Sequence, residues 1–429
     1  MDLVLYTLRS VAYVIVEPSL MLILVLLGVM FFIKNRRLVV MQKMIVGESV
    51  NSPLELTLSQ IVLGIFAGIL ASLILSHLGV IFTRNSGIEF LFMLSVLLMF
   101  IKPRFVCFSY SGAVLGIVSL IFTYFNITTS NGEGLFRVDI MALMTFVGVL
   151  HIVEGILVMF DGDRGAIPVF SNRNGRIIGG YALSRYWVLP IAIFIAYSTA
   201  SVSGAGTESI GTPGWWPLLN SDSIMSIINT MVLTLLPMFG VLGYSSVTFT
   251  RKKKEKAISS GIFTLGFGIL LTLVAQLARF GFIGEIIVVL FAPLAHEGMM
   301  IIQRKLEEKR SPIFVSGADG ISILEVIPYS KAFEHGLRAG DKILSINDKE
   351  VLSEKEIYSI VKEGIYNFTL RVRDKRGSVK EIYMKNDNRG FGAVLVPKAV
   401  TPDKVVSFEN RNFSEVLQKI KENRENKDK

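Results

Sequence analysis

Gly336-Leu337-Arg338-Ala339-Gly340-Asp341-Lys342-Ile343-Leu344-Ser345-Ile346-Asn347 lies beyond a break in composition near Arg304. Before the break, long apolar runs alternate with short polar loops; after it the sequence turns charged and alternating. Within the quoted stretch, Gly340-Asp341 reads as a turn and Lys342–Asn347 as a strand with Leu344 and Ile346 on one face. The expected fold class is therefore a polytopic α-helical membrane domain, residues 1–303, carrying one small cytoplasmic α+β domain, residues 313–397. A charged tail, residues 398–429, follows and is expected to be flexible.

The composition agrees with a membrane chain. Of 429 residues 51% are hydrophobic, and mean hydropathy is +0.54. The net charge of +9 would suggest nucleic acid in a soluble protein. Here the basic residues cluster in loops beside apolar runs, where they orient helices and meet anionic lipid, so no nucleic-acid partner is expected. The single cysteine, Cys107, excludes an internal disulfide and Cys-rich metal sites. The first apolar segment reads as a retained helix rather than a removed signal peptide.

Nine apolar runs are candidate spans: 11–33, 58–82, 88–101, 105–124, 138–160, 187–202, 224–249, 257–278 and 282–302. A helix needs about 20 apolar residues to cross the hydrocarbon, so 88–101 is short and reads as a re-entrant segment or tight hairpin. Loops 34–57, 102–104, 161–186 and 250–256 are rich in Lys and Arg. The alternate loops hold only Arg84, Arg137 and Arg279, and the N-terminal tail adds Arg9. Positive residues mark the cytoplasmic side, which places the N-terminus outside and the C-terminal domain in the cytoplasm of a multi-pass cell-membrane protein. Trp215 and Trp216, in the outer loop Gly204–Asn220, suit an interfacial belt.

Ionisable groups in hydrocarbon are costly and mark candidate sites. His151 and Glu154 share a face of the fifth run, three residues apart. His296 and Glu297 lie in the ninth, with Glu285 before them, and Glu17 precedes Pro18 in the first. The main reading is polar contacts between helices, with no metal, no cofactor and no catalytic residue. A second reading joins His151, Glu154, His296 and Glu297 in a zinc site. His296-Glu297-Gly298-Met299-Met300 begins like the H-E-x-x-H motif of an intramembrane metalloprotease, but Met300 replaces the second histidine. Phe160-Asp161-Gly162 resembles the third-ligand motif of those proteases in reversed order. A third reading, a transporter using the buried acids, lacks an internal repeat. No G-x-S-x-G nucleophile motif is present.

Beyond Ile313 the pattern gives a strand at Ile321–Ile327, a short helix at Lys331–His335 closed by Gly336, and the strand Lys342–Asn347. An amphipathic helix at Ser353–Lys362 carries Ile357, Ile360 and Val361 on one face. A hairpin joins Asn367–Arg373 to Val379–Met384. Gly320-Ile321-Ser322-Ile323, Val326-Ile327-Pro328-Tyr329-Ser330-Lys331-Ala332 and the stretch quoted first together resemble a bacterial PDZ domain. The resemblance implies that an extended peptide adds to a sheet edge. It places that edge at Ile321–Glu325, so Gly320, Ile321, Ser322, Ile323, Leu324 and Glu325 form the binding strand. The backbone N–H groups of Gly320 and Ile321 would meet a terminal carboxylate, and Ile357 and Val361 would wall the pocket. The loop of such domains usually carries an aromatic or aliphatic residue between glycines. Asp319 before Gly320 would repel a terminal carboxylate, which favours internal peptides equally.

Many membrane helices followed by one cytoplasmic PDZ domain resemble the MinJ family of cell-division topology determinants of Gram-positive rods. The resemblance implies a non-enzymatic membrane adaptor acting in placement of the division site. Its expected partners are membrane lipid, the ATPase MinD and a DivIVA-like polar scaffold.

Overall fold

The computed structural model describes residues 2–47, 50–101, 103–128, 136–173, 175–198, 211–219, 225, 228, 230–351, 353–362, 367–385 and 391–398. The expected tail at 398–429 lies outside them except for residue 398, as do residues 204–210 and 220 of the loop 204–220. Two compact units divide the chain. The first contains residues 1–169 and 180–312, the second residues 170–179 and everything from 313 onward.

Among the described residues of the first unit, five helices are long and apolar enough to cross a membrane. In chain order its elements begin with α1 (Asp2–Val16), α2 (Pro18–Val46), α3 (Pro53–Leu78), β1 (Ile81–Thr83), α4 (Phe90–Ile101), α5 (Phe108–Tyr124) and α6 (Ile140–Asp161). The hairpin strands β2 (Ile167–Arg173), β3 (Arg176–Ser198) and β4 (Met231–Thr248) follow, then α7 (Lys253–Val274), continued by a 3-10 turn, and α8 (Phe282–Lys309). The spanning candidates are α2, α3, α6, α7 with its 3-10 extension, and α8. The run expected at 11–33 is broken by Glu17-Pro18: proline starts α2, and the Glu17 carboxylate accepts the Leu20 N–H at 2.9 Å as its N-cap. Glu285 likewise sits in the first turn of α8, where the helix dipole favours an acid. These two acids are helix-end residues. At 12 residues, α4 is too short to span.

The runs 187–202 and 224–249 were expected to be helices, and their described residues 187–198 and 231–248 are strand. β3 and β4 pair antiparallel from Tyr181↔Thr248 to Ser198↔Met231, and β1 adds parallel at Ile81↔Phe194. An apolar run buried on both faces carries no period-two signal, so it reads equally as a helix. Trp187, Val188, Leu189, Ile191, Ala192 and Ile193 are at most 1% exposed, as a strand inside protein must be where no water can satisfy its backbone. What admits it is a stripe of small residues on α3. An added Cβ at Gly64 would stand 2.0 Å from the Val188 carbonyl oxygen, and one at Gly68 2.2 Å from that of Pro190. One turn on, Ser72 Oγ accepts the Ala192 N–H at 3.0 Å.

The basic ends of the helices lie together. Arg185 on β3 donates to Asp161 at the end of α6 and, at 2.7 Å, to Ser59 near the start of α3. Gln42 of α2 donates to the Ala166 carbonyl at 3.0 Å. Lys254 at the start of α7 donates to the Met159 carbonyl at 3.0 Å, and Lys256 pairs with Glu307 near the end of α8 at 3.7 Å.

The second unit is built on a sheet. Its strands are β5 (Phe314–Val315), β6 (Ile321–Val326), β7 (Lys342–Ile346), β8 (Lys349–Glu350), β9 (Asn367–Arg373), β10 (Val379–Lys385) and β11 (Ala393–Leu395). Two helices, α9 (Lys331–Glu334) and α10 (Glu354–Lys362), complete it. The order is β10-β9-β7-β6-β11, with β8 on β7. Ile321, Ile323, Ile343, Ile357, Leu370 and Met384, all fully buried, form the centre of one core. Each element expected between Ile321 and Met384 is present within two residues at its ends. The unit also recruits the tip of the β2–β3 hairpin. β5 pairs with Ile178 and Gly179, and a Cβ on Gly179 would meet the Val396 and Leu324 side chains at 2.9 and 3.2 Å.

Candidate functional site

The sheet order corrects the expected binding edge. Ile321–Glu325 lies in β6, between β7 and β11: Ile321 and Ser322 pair with β7, and Ile323 and Glu325 with β11, so this strand is interior rather than an open edge. Gly320 donates its N–H to the Gly317 carbonyl at 3.2 Å, and Asp319 pairs with Lys342. The edge strand is β11, preceded by Gly390-Phe391-Gly392. This segment has the aromatic residue between glycines that the sequence reading sought before Gly320, and the short motif was there to be read. Phe391 is buried in the core, and Gly392 takes φ +73, a left-handed backbone that glycine adopts freely.

The edge of β11 faces α10 through one side chain. Tyr358 Oη donates to the Ala393 carbonyl at 3.1 Å and accepts the Leu395 N–H at 3.2 Å. These two backbone groups alternate with those that β11 gives to β6, since Val396 N–H donates to Ser322 at 2.9 Å. Burial pushes the Tyr358 phenol above its ordinary pKa, so it stays protonated and serves as donor and acceptor at once. Of the expected pocket walls, Ile357 is fully buried in the core, and Val361 packs at its margin.

In the first unit, His151 and His296 come together, and the residue that joins them is Cys107. Its Sγ, at the N-cap of α5, lies 3.0 Å from His151 Nε2 and 3.6 Å from His296 Nε2. Each imidazole is held through its other nitrogen. His151 Nδ1 meets the Val147 carbonyl at 2.7 Å, an acceptor, so Nδ1 carries the proton. His296 Nδ1 lies 3.3 Å from Tyr110 Oη, whose own hydrogen goes to Glu297 Oε1 at 2.6 Å. Both Nε2 atoms therefore present lone pairs toward the sulfur. Phe267 of α7 packs edge-on against both rings, with centroids 4.9 and 5.4 Å away.

The two carboxylates expected with the histidines hold different places. Glu297 is linked to His296 through Tyr110, and Glu154 stands one turn along α6, half-buried. Asp161, the acid of the reversed motif, is 2% exposed and paired with Arg185. Cys107 escaped the sequence reading because it is 44 residues from His151 and 189 from His296, a separation without local spacing.

No protein-family model matches the chain. The serine protease HTRA1 of Xenopus laevis is 38% identical over 76 residues, 17% of this chain and 17% of that protein. The serine protease HTRA1 of Xenopus tropicalis is 29% identical over 104 residues, 24% of this chain and 20% of that protein. The chain thus spans about a fifth or less of the length of these relatives.

Proposed function

We propose that this chain is a non-enzymatic multi-pass membrane adaptor whose C-terminal unit is a PDZ domain that captures an extended segment of a partner protein. The observation that carries the reading is the edge of β11, where the Leu395 N–H and Ala393 carbonyl face α10 and are held by a single hydroxyl. A peptide laid antiparallel between β11 and α10 would take over these two groups as a strand addition does. Tyr358 acts as the placeholder that keeps them satisfied while the groove is empty. The short likeness to HTRA1 and the Gly-Phe-Gly segment before β11 support the same assignment.

The unit works on the cytoplasmic face. In support, the chain leaves α8 after Lys309 at the helix end where Lys256 pairs with Glu307, the end that positive residues mark. The resemblance to the MinJ family makes the division-site apparatus the first place to seek the partner, MinD or a DivIVA-like scaffold among its proteins.

The test is selection from a displayed peptide library on the full-length protein, followed by affinity measurements. Tyr358→Phe removes the placeholder's hydroxyl, and its two hydrogen bonds are absent from the bound state anyway. At about 0.5–1.5 kcal/mol for each of the two net hydrogen bonds, selected peptides should bind this variant roughly 5–150-fold more tightly. Leu395→Pro removes the outward N–H and should abolish capture. A library that yields no binder, or binders indifferent to both changes, would sink the reading.

A further inference from the structure

The geometry points to a zinc site inside the helical bundle, with Cys107, His151 and His296 as its three protein ligands. Their ligand atoms all lie within 4.8 Å of one another. Zinc bonds of about 2.3 Å to sulfur and 2.0–2.1 Å to nitrogen, at a tetrahedral angle, separate the two atoms by roughly 3.6 Å. Cys107 Sγ and His296 Nε2 are 3.6 Å apart, and the His151 contact needs to open by about half an ångström to match. Thiolate with imidazole is a donor set that suits zinc and disfavours the hard cations held by oxygen.

Three features beyond the ligand triplet belong to metal centres. Each imidazole is locked in the tautomer that frees Nε2, by Val147 for His151 and by Tyr110 for His296. The Tyr110 hydroxyl relays to the Glu297 carboxylate, and a carboxylate behind a ligating histidine raises its basicity and fixes its ring. Phe267 walls both rings, limiting water around the ion. Ser109 Oγ lies 3.2 Å from His151 Nε2, and its hydroxyl gives up that contact when the nitrogen binds the ion. On binding, the Cys107 thiol loses its proton to solvent and the thiolate becomes the anionic ligand. The ligands come from the N-cap of α5, the middle of α6 and the middle of α8, so the ion ties three helices together.

The experiment uses the full-length protein in detergent, stripped with chelator and titrated with Zn²⁺ and, separately, Co²⁺. Expected is uptake of one equivalent, a thiolate-to-cobalt charge-transfer band in the near ultraviolet, and a higher Tm with Zn²⁺. Cys107→Ser should lose the charge-transfer band, and His296→Gln, at a half-buried position, should lose the Zn²⁺-dependent Tm shift. Tyr110→Phe, which removes the hydroxyl that holds His296 Nδ1 and relays to Glu297 while leaving all three ligands in place, should keep stoichiometric binding with affinity weakened about 10–100-fold. His77→Ala, at a histidine stacked on Trp215 away from the cluster, should behave as the unaltered protein. Lack of stoichiometric uptake by the unaltered protein would overturn the proposal. So would a charge-transfer band or Tm shift that survives both Cys107→Ser and His296→Gln. Should Cys107→Ser fail to fold, Cys107→His keeps a ligand there and should bind Co²⁺ without the charge-transfer band.

Discussion

Asp161→Ala is expected to destabilise the helical unit by about 3–5 kcal/mol, the usual cost of stranding one member of a buried ion pair. Arg185 and Asp161 have side chains only 1% and 2% exposed. The guanidinium donates Nε–H to Asp161 Oδ2 at 2.8 Å, and the Trp187 indole donates to the same oxygen at 3.0 Å. Arg164 lies 3.5 Å from Oδ1. With the carboxylate gone, Arg185 keeps Ser59 and the Leu56 carbonyl, at 2.7 and 3.4 Å, neither of which neutralises a charge. The end of α6, the start of α3 and β3 meet at this pair, so the loss spreads across three elements. Asp161→Ala combined with Arg185→Leu removes both charges and should recover most of the loss, because a buried pair replaced by apolar groups is often neutral. Denaturant melts of the two single variants and the double variant in detergent give the coupling directly. Additive losses would mean that the pair is solvated.

The contrast between the two units explains what could be read from the sequence. In the C-terminal unit β7 and β9 alternate between buried and more exposed residues, so the pattern in Lys342–Ile346 and Asn367–Arg373 and the turn at Gly340-Asp341 were enough to place these elements. The neighbour relation of the strands was not legible there. β11 lies far along the chain from β6 and slips in beside it, so a strand that looked like an edge became interior. In the membrane half, composition identifies lipid-compatible helices but not what a doubly buried run does. The part of β3 at 187–198 is as apolar as a span, and its fit against Gly64, Gly68 and Ser72 suits a strand there. His151 and Glu154 were visible through helical spacing. Cys107 was invisible because only the packing of α5 on α6 and α8 brings its sulfur to the imidazoles.

The packing of α6 on α7 rests on four glycines, and filling them should be the second large effect. Gly148 and Gly155 on α6, like Gly261 and Gly268 on α7, are seven residues apart and so share a helix face. An added Cβ at Gly155 would stand 2.6 Å from the Gly261 carbonyl oxygen, and one at Gly261 2.5 Å from that of Gly155. Gly268 and Gly148 repeat the relation at 2.6 and 2.9 Å. Backbone meets backbone, the close approach that small residues permit between membrane helices, so no side chain can rotate away to make room. Gly→Ala inside a helix ordinarily stabilises by about 0.5–1 kcal/mol. At Gly155 or Gly261 the sign should reverse, to a loss of about 1–3 kcal/mol from overpacking, and Leu in place of Ala should cost more. Gly266 is the control on the same helix: nothing lies within 4 Å of its added Cβ, so Gly266→Ala should be neutral or stabilising. The measurement is the melting midpoint of the three Ala variants, and equal shifts at Gly261 and Gly266 would refute the close approach. The displacement has a chemical consequence as well. Phe267, between Gly266 and Gly268, rides on α7, so any separation of the helices draws its ring away from His151 and His296. Gly261→Ala should therefore weaken Zn²⁺ binding along with stability, whereas Gly266→Ala should leave it intact, which ties the packing of α6 on α7 to the chemistry between α5, α6 and α8.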